Sequence, residues 1–196
     1  CELEAKNINH EHFNSYDIFH IEGYLVQNHE LIETAIKTAK SKNMKVSIDM
    51  ASYNVVESNL EFLKRIIKEH VDIIFANEEE ARSFTGMEPE EAIFELGKYC
   101  DIAVVKVGSK GSLILKDGKV IHVEGKKAKA IDTTGAGDIY ASGFLFGLAN
   151  NLPLDTCGKI GTILATKVVE VIGPKLSEEQ WIEAKAEINE LISKAN

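Results

Sequence analysis

The feature that most constrains the fold is an alternation of short apolar stretches with helical repeats over the N-terminal half. The apolar stretches are rich in β-branched and aromatic residues and are predicted to be strands: Tyr16–Val26, Lys45–Met50, Val71–Ala76 and Ile102–Val107. The segments between them repeat apolar residues at helical spacing and are predicted to be helices: His29–Lys42, Glu57–Glu69, Glu78–Thr85 and Pro89–Tyr99. Such alternation predicts an α/β fold with an open, mostly parallel sheet and helices on both faces.

The pattern changes in the C-terminal half. Two alternating stretches, Ser112–Lys116 and Lys119–Glu124, flank Asp117-Gly118, a pair that tolerates the positive φ angles of a type I′ turn, and they predict a β-hairpin. Beyond the hairpin three helices are predicted, over Ala136–Asn150, Asp155–Ile172 and Ser177–Lys194. Because 196 residues suit one domain, we predict a single α/β core over residues 1–196.

Charge and cysteine content restrict the partners and the compartment. The chain has 31 acidic and 22 basic residues and a net charge of −9, without a block of Lys or Arg, which argues against nucleic acid as a partner. Three cysteines without C-x-x-C spacing argue against a disulfide framework or a zinc site and fit a reducing compartment. The N-terminus has no signal-peptide pattern and no apolar stretch is long enough for a bilayer, so a cytoplasmic location without membrane contact is expected.

One short segment, Asp132–Asp138 (DTTGAGD), has the composition of a phosphate-binding turn. Its two glycines let backbone amides converge on a ligand, and the helix that follows contributes unpaired N–H groups and the positive end of its dipole. These features favour an anion, and Asp138 in the first helical turn is placed to accept a proton from a substrate hydroxyl. A bare G-x-G-D would more often be an ordinary glycine turn before a helix, but here the segment is longer.

The segment resembles the second signature of the ribokinase/PfkB family of carbohydrate and nucleoside kinases, whose core is D-T-x-G-A-G-D. The residues that match the core, together with the following A-x-G-F, are Asp132, Thr133, Gly135, Ala136, Gly137, Asp138, Ala141, Gly143 and Phe144. The resemblance implies that Asp138 is the catalytic base. It also implies that Gly135, Ala136 and Gly137 form an anion hole for the transferring phosphate, with Thr133 among the nucleotide-binding residues.

A second element of the family, N-x-x-E, is matched after the third predicted strand by Asn77 and Glu80. The resemblance implies that both residues lie near the ATP phosphates and that Glu80 contacts Mg²⁺ through water. Acidic residues at the carboxyl end of a parallel strand lie where α/β folds bind ligands, and Mg²⁺ prefers oxygen ligands. The alternative is a helix N-terminus that simply favours acidic residues.

A third element, T-x-G-x-x-G, is matched by Gly108 and Gly111 in a loop that follows the fourth predicted strand. By resemblance this loop contacts the nucleotide. The usual Thr is replaced by Lys106, and this departure puts the contact at that position in doubt.

Asp132 has two interpretations. In many family members the equivalent acid helps to hold a monovalent cation, with a later loop that here contains Gly173 and Ser177. Alternatively, Asp132 caps or braces the turn, and the sequence does not separate the two roles.

Together these resemblances imply an ATP-dependent phosphotransferase that moves the γ-phosphate to a hydroxymethyl group of a sugar or nucleoside. The implied cofactors are ATP and Mg²⁺, with K⁺ as the candidate monovalent cation. The implied partner is the small-molecule substrate, without nucleic acid or membrane, and a homodimer is left open. The alternatives are a non-catalytic nucleotide-binding homologue and a vitamin-type kinase of the wider ribokinase-like superfamily.

Family members are longer than this chain, and their Gly-Gly-Asn signature, sugar-gripping Asp and β-strand lid have no counterpart in it. The sequence is therefore interpreted as the C-terminal portion of a larger kinase, truncated at the N-terminus and without the lid. This stretch alone is expected to turn over no substrate.

Overall fold

A computed structural model describes residues 3–195, so that Cys1 lies outside the described residues. The strands are β1 (Ile18–Glu22), β2 (Lys45–Asp49), β3 (Ile73–Asn77), β4 (Ile102–Lys106), β5 (Gly111–Lys116) and β6 (Lys119–Glu124). They form one six-stranded sheet in the order β1-β2-β3-β4-β5-β6. The predicted α/β fold, with a mostly parallel sheet flanked by helices, is confirmed.

The helices follow the strands in alternation and then dominate the C-terminal half. They are α1 (His29–Ser41), α2 (Tyr53–Ser58), α3 (Leu60–His70), α4 (Glu78–Thr85), α5 (Pro89–Leu96), α6 (Ala136–Ala149), α7 (Leu154–Val168) and α8 (Glu178–Ala195). Short 3-10 turns lie at Ala5–Asn7, His10–Phe13, Gly23–Gln27 and Gly108–Lys110. Within residues 3–195, none of these helices combines the length and apolar character needed to span a bilayer.

The chain divides into two compact units. The N-terminal unit extends through Val105 and includes Leu115–Lys119, and the C-terminal unit comprises Lys106–Ile114 and the chain from Val120 onward.

In the N-terminal unit, β1, β2 and β3 run parallel. β2 and β3 are largely buried, whereas Ile21 is the buried residue of β1. Ile21 lies opposite Ile48, and Ile48 lies opposite Ile74, with at most 1% of any of the three exposed. Burial on both faces explains why β3 is almost continuously apolar.

The helices that connect these strands pack against each other. The strands β1, β2 and β3 lie side by side in the sheet in the same order as in the chain. Right-handed crossovers between them therefore place α1 and α3 on the same face of the sheet. Arg65 of α3 pairs with Glu33 of α1 at 2.5 Å, and the ring of His29 stacks on Phe62 with 3.7 Å between centroids. These contacts agree with the crossover rule.

One predicted helix, Glu57–Glu69, is two helices in the structure. α2 begins earlier, where the Ser52 hydroxyl accepts a hydrogen bond from the amide of Val55, and it ends at Ser58. The Asn59 side-chain amide donates to the Val55 carbonyl at 2.9 Å. A side chain that bonds the backbone in this way competes with the helical pattern, which explains the break before α3.

The predicted hairpin is confirmed together with its turn. Asp117 and Gly118 have φ angles of 50° and 72°, and a type I′ turn requires positive values at both positions.

In the C-terminal unit, α6 is joined to β5 by a buried polar contact. The hydroxyl of Tyr140 lies 2.7 Å from the hydroxyl of Ser112, and burial raises the pKa of Tyr140. α7 and α8 share an apolar cluster formed by Ile160, Ile163, Leu164, Ala184 and Ile188. This packing supports α6, the helix that carries the candidate site.

Candidate phosphate-binding and catalytic site

The site is built on the N-terminus of α6, where Gly135 is the residue that precedes the helix. Its φ angle is +76°, in the left-handed region. A Cβ on Gly135 would stand 2.6 Å from the Cβ of Pro174, closer than side chains tolerate. Glycine is therefore required at this position by both backbone conformation and space.

The turn before α6 is closed by backbone hydrogen bonds. The amide of Ala136 donates to the Thr133 carbonyl at 3.2 Å, and the amide of Ile139 donates to the Gly135 carbonyl at 3.0 Å. Gly135 provides no side-chain cap. The amides of Gly137 and Asp138, which precede the first helical donor, have no acceptor within the helix.

Amides of this kind, with the positive end of the helix dipole, suit an anion. Gly135, Ala136 and Gly137 are half-buried, and we refer to these residues, which the sequence predicts to bind the phosphate, as the anion hole. The Ala136 amide is bonded to Thr133, so that Gly137 and Asp138 supply the amides without an acceptor in the helix. Asp138 is exposed and lies in the first turn of the same helix. A phosphate group and a carboxylate able to take a proton can therefore be accommodated at one helix end.

Asp132 braces the turn with both carboxylate oxygens. Oδ1 accepts from the amide and the hydroxyl of Thr134, at 2.9 and 2.7 Å, and Oδ2 accepts from the amide of Gly173 at 2.9 Å. The Thr134 hydroxyl, followed by the amides of Thr134 and Gly173, lowers the pKa of Asp132. Of the two interpretations left open by the sequence, the structure shows the brace, and cation binding stays a prediction.

Hydrogen bonds join the residue after α7 to the irregular segment that precedes this turn. α7 was predicted to continue to Ile172 but ends at Val168, and the Val169 carbonyl accepts from the amides of Ile131 and Asp132 at 2.7 and 3.3 Å. The helix does not continue here, since the carbonyl of Val169, its C-cap, bonds a different segment. Periodicity did not reveal this contact, since the two partners lie far apart in sequence.

The G-x-x-G loop is a tight connection between β4 and β5. The amide of Val107 donates to the Gly111 carbonyl at 2.8 Å. Gly111 has a φ angle of +104°, and a Cβ there would stand 1.9 Å from the Val123 carbonyl oxygen, so only glycine fits. Gly108, the other matched glycine, opens the 3-10 turn and is exposed.

Lys106 lies at the end of β4 and extends to the N-terminus of α6. Its Nζ is 3.0 Å from the position that a Cβ on Gly137 would occupy. In the sequence, Lys106 is notable because it replaces the usual Thr of the T-x-G-x-x-G element. The structure shows where the ammonium group of Lys106 lies, and the spacing of residues along the chain does not reveal this position.

Asn77 and Glu80 lie in the N-terminal unit and pair with each other at the start of α4. The amide of Glu80 donates to the Asn77 side chain at 2.9 Å, and the amide and side chain of Asn77 donate to the Glu80 carboxylate at 2.8 and 2.6 Å. Glu80 is only 2% exposed. This reciprocal cap is the structural alternative that the sequence left open.

The Asn77–Glu80 pair offers oxygen atoms, the ligands that Mg²⁺ prefers. Among residues 3–195, no group of three or more His, Cys, Asp or Glu side chains is arranged to ligate a metal ion. Mg²⁺ in nucleotide sites usually keeps several waters and uses one or two carboxylates plus phosphate oxygens, so it does not require such a cluster. A carboxylate held by Asn77 fits contact through water.

The fold belongs to the ribokinase-like class of α/β structures. The model of the pfkB family of carbohydrate kinases matches residues 2–181. The chain therefore belongs to the pfkB family.

Three similar proteins illustrate the family. A nucleoside kinase from Methanocaldococcus jannaschii is 34% identical over 180 residues, which are 90% of this chain and 56% of that protein. An adenosine kinase from Sinorhizobium meliloti superposes with a TM-score of 0.89 at 26% identity, covering 95% of this chain and 59% of that one. A candidate ribokinase II from E. coli in complex with ATP and Mg²⁺ has a TM-score of 0.80 at 20% identity, covering 98% and 63%, and shows the fold alone. The chain thus spans less than two thirds of each.

Proposed function

We propose that this chain is the phosphate-binding part of an ATP-dependent kinase that phosphorylates a hydroxymethyl group of a sugar or nucleoside. The observation that carries the proposal is the exposed carboxylate of Asp138 on the same helix end as the anion hole. Membership of the pfkB family supports it. The similarity to a nucleoside kinase and an adenosine kinase makes nucleosides the first acceptors to test.

In the proposed reaction the substrate hydroxyl oxygen forms a bond to the γ-phosphorus of ATP. The bond between that phosphorus and the bridging oxygen breaks, and its electron pair leaves with ADP. Asp138 takes the hydroxyl proton, and the anion hole stabilises charge on the oxygens of the transferring group. Phosphoryl transfer depends chiefly on such positioning and charge stabilisation, because its transition state is loose.

The remaining matched residues, and Lys106 in place of the usual Thr, are assigned to the nucleotide and its ions. Lys106, Gly108, Gly111 and Thr133 contact the nucleotide, while Asn77 and Glu80 contact the shell of waters around Mg²⁺. Bound Mg²⁺ supplies charge neutralisation of the phosphates. Asp132 is the candidate residue for a monovalent cation, K⁺ being the first to test.

The test is ADP release by the complete gene product that contains residues 1–196, assayed with a panel of nucleosides and sugars. Asp138→Asn is expected to lower kcat by roughly 10²–10⁴-fold, because a positioned base is lost. Asp117→Asn, in an exposed hairpin turn where Asn also tolerates positive φ, is the matched control and is expected to behave as wild type.

The outcomes separate the competing functions. If Asp138→Asn retains a kcat near that of wild type, Asp138 is not the base. ATP binding without ADP release for any acceptor would instead favour a non-catalytic nucleotide-binding homologue, and release with a vitamin precursor alone would favour a vitamin-type kinase. The same assay on residues 1–196 alone tests the expectation that this stretch by itself turns over no substrate.

A further inference from the structure

Helix α8 has a packed face and an exposed face that also carries large apolar side chains. On the packed face, Ala184 and Ile188 are buried in the apolar cluster with α7. On the exposed face, Trp181 and Ile182 are 38% and 70% exposed. Adjacent exposed apolar side chains with a polar rim are typical of sites that contact other molecules.

A charged residue lies on each side of these two apolar residues. Glu178, Trp181, Ile182 and Lys185 line an open depression on the surface of α8. Because residues spaced by three, four and seven positions share one side of a helix, the four follow each other along one face. Their order is acid, aromatic, aliphatic, base, and we refer to them as the α8 stripe.

The two charges of the α8 stripe are not used within the described part of the chain. Among residues 3–195, neither Glu178 nor Lys185 forms an ion pair or a side-chain hydrogen bond. By contrast, Glu183, elsewhere on the same helix, pairs with Lys167 of α7. The carboxylate and the ammonium group of the stripe are therefore available to a partner.

The α8 stripe is complementary to a second copy of itself in antiparallel orientation. Glu178 and Lys185 are equally distant in sequence from the point between Trp181 and Ile182. A two-fold axis through that point places Glu178 of each copy opposite Lys185 of the other, and Trp181 opposite Ile182. An isologous dimer interface requires such self-complementarity, whereas contact with an unrelated chain does not require charges that are symmetric about the centre.

We propose that the α8 stripe is the contact between two copies of this chain in a two-fold dimer with antiparallel α8 helices. Trp181 and Ile182 form its apolar centre, and two pairs of Glu178 with Lys185 form its rim. The 18 residues of α8 extend over about 27 Å, so a contact along one face is smaller than a standard interface of roughly 1,600 Å². The dimer is therefore expected to be weak and to form as concentration rises. This inference goes beyond the proposed kinase function and does not depend on it.

The first test is sedimentation equilibrium of the complete gene product over roughly a hundredfold range of concentration. Wild type is expected to shift from monomer towards dimer. Ile182→Asp, at a position too exposed for the fold to depend on it, is expected to weaken dimerisation at least about tenfold, because it places carboxylates in the apolar centre. Phe94→Asp, at an exposed position of α5, is the matched control and is expected to dimerise as wild type does.

The second test reverses the charges of the α8 stripe. Glu178→Lys and Lys185→Glu each turn both rim pairs into pairs of like charge, and each is expected to dimerise about tenfold more weakly than wild type. An equimolar mixture of the two variants is expected to regain wild-type dimerisation, because every mixed dimer has two pairs of opposite charge. Glu61→Lys in the first turn of α3 and Lys119→Glu in the hairpin are the controls for charge reversal elsewhere.

Three results would overturn the proposal. The first is a wild-type protein that stays monomeric over the whole range, which would mean that the stripe has a different partner or none. The second is a wild-type dimer that Glu178→Lys and Lys185→Glu do not weaken, because the copies would then meet elsewhere. The third is a mixture of the two variants that dimerises no better than either alone. Recovery in the mixture also shows that both variants fold.

Discussion

At the scale of single residues, Asp132 joins two segments that are far apart in sequence. Its carboxylate accepts hydrogen bonds from Thr134 in its own turn and from Gly173 beyond α7. The motif itself implies none of these three hydrogen bonds. The same acid that marks the family signature therefore also holds the loop that closes against Gly135.

Replacing Asp132 with Asn is expected to destabilise the protein in a pH-dependent way. The pKa of Asp132 is lowered from 3.8 by the hydrogen bonds of Thr134 and Gly173, so its stabilising contribution is present above the unfolded pKa. That contribution is lost as the pH falls through the lowered folded pKa. Urea unfolding at pH 7 and at pH values near and below 4 measures the difference between wild type and variant.

The difference in unfolding free energy is expected to be full at pH 7 and to shrink as the solution is acidified below the ordinary carboxylate range. Asp117→Asn in the hairpin turn is the control for a change of charge alone. If the difference in unfolding free energy between wild type and Asp132→Asn stayed constant from pH 7 to acidic pH, the hydrogen bonds of Asp132 would not stabilise the fold.

Gly135→Ala tests the lack of space beside Pro174 at the start of α6. An L-residue in the left-handed region costs roughly 1–2 kcal/mol, and overpacking against Pro174 adds about 1–3 kcal/mol. Gly86→Ala is a matched control, because Gly86 has a φ of +75° and nothing within 4 Å of its Cβ position. Urea unfolding of both variants isolates the Pro174 contact, and equal losses would show that this contact contributes nothing.

At the scale of elements, helix ends are decided by competing hydrogen bonds. α1 and α4 have nearly the bounds that periodicity predicts, because Asn28 and Asn77 cap them locally. The break at Asn59 and the end of α7 were not predicted. Asn59 bonds a carbonyl in its own neighbourhood, whereas the Val169 carbonyl bonds a segment nearly forty residues earlier in the chain.

The cap of α4 gives an element-scale prediction. Asn77→Ala is expected to lower the free energy of unfolding by about 0.5–2 kcal/mol for the lost cap, and by more because the buried Glu80 loses hydrogen bonds from Asn77. Asn28→Ala removes the cap of α1, which has no reciprocal carboxylate, and serves as control. Equal losses in urea unfolding would show that the reciprocal cap adds nothing to stability.

At the scale of the whole molecule, cysteine reactivity reports on burial. Burial raises the pKa of Cys100 to about 12 and that of Cys157 to about 11. Because the thiolate is the reactive form, both thiols are expected to react with a disulfide reagent at least about 100-fold more slowly in the folded protein than in urea. A Cys1→Ser background leaves these two thiols to be counted, and fast reaction of either in the native protein would contradict the structure.

Much of the candidate site was predictable because its signals are local. Asp132–Asp138, Asn77 with Glu80, and Gly108 with Gly111 each form a short stretch whose residue types indicate turn, cap and anion binding. The same is true of the periodicity of strands and helices, of the Asp-Gly turn and of the family resemblance, since each depends on residues that are close in sequence. These determined the α/β fold class, the hairpin and the choice of the candidate phosphate-binding segment.

Only the tertiary structure decided which distant groups meet that segment. Lys106 reaches Gly137, the Gly173 amide bonds Asp132, and Pro174 packs on Gly135, across thirty to forty residues of chain. Such contacts depend on how Lys106, α6 and the segment after α7 pack within the C-terminal unit, and packing combines many weak interactions that no single stretch encodes. The sequence by itself therefore determined the candidate phosphate-binding motif, and the tertiary structure determined where Lys106 and the braces lie around it.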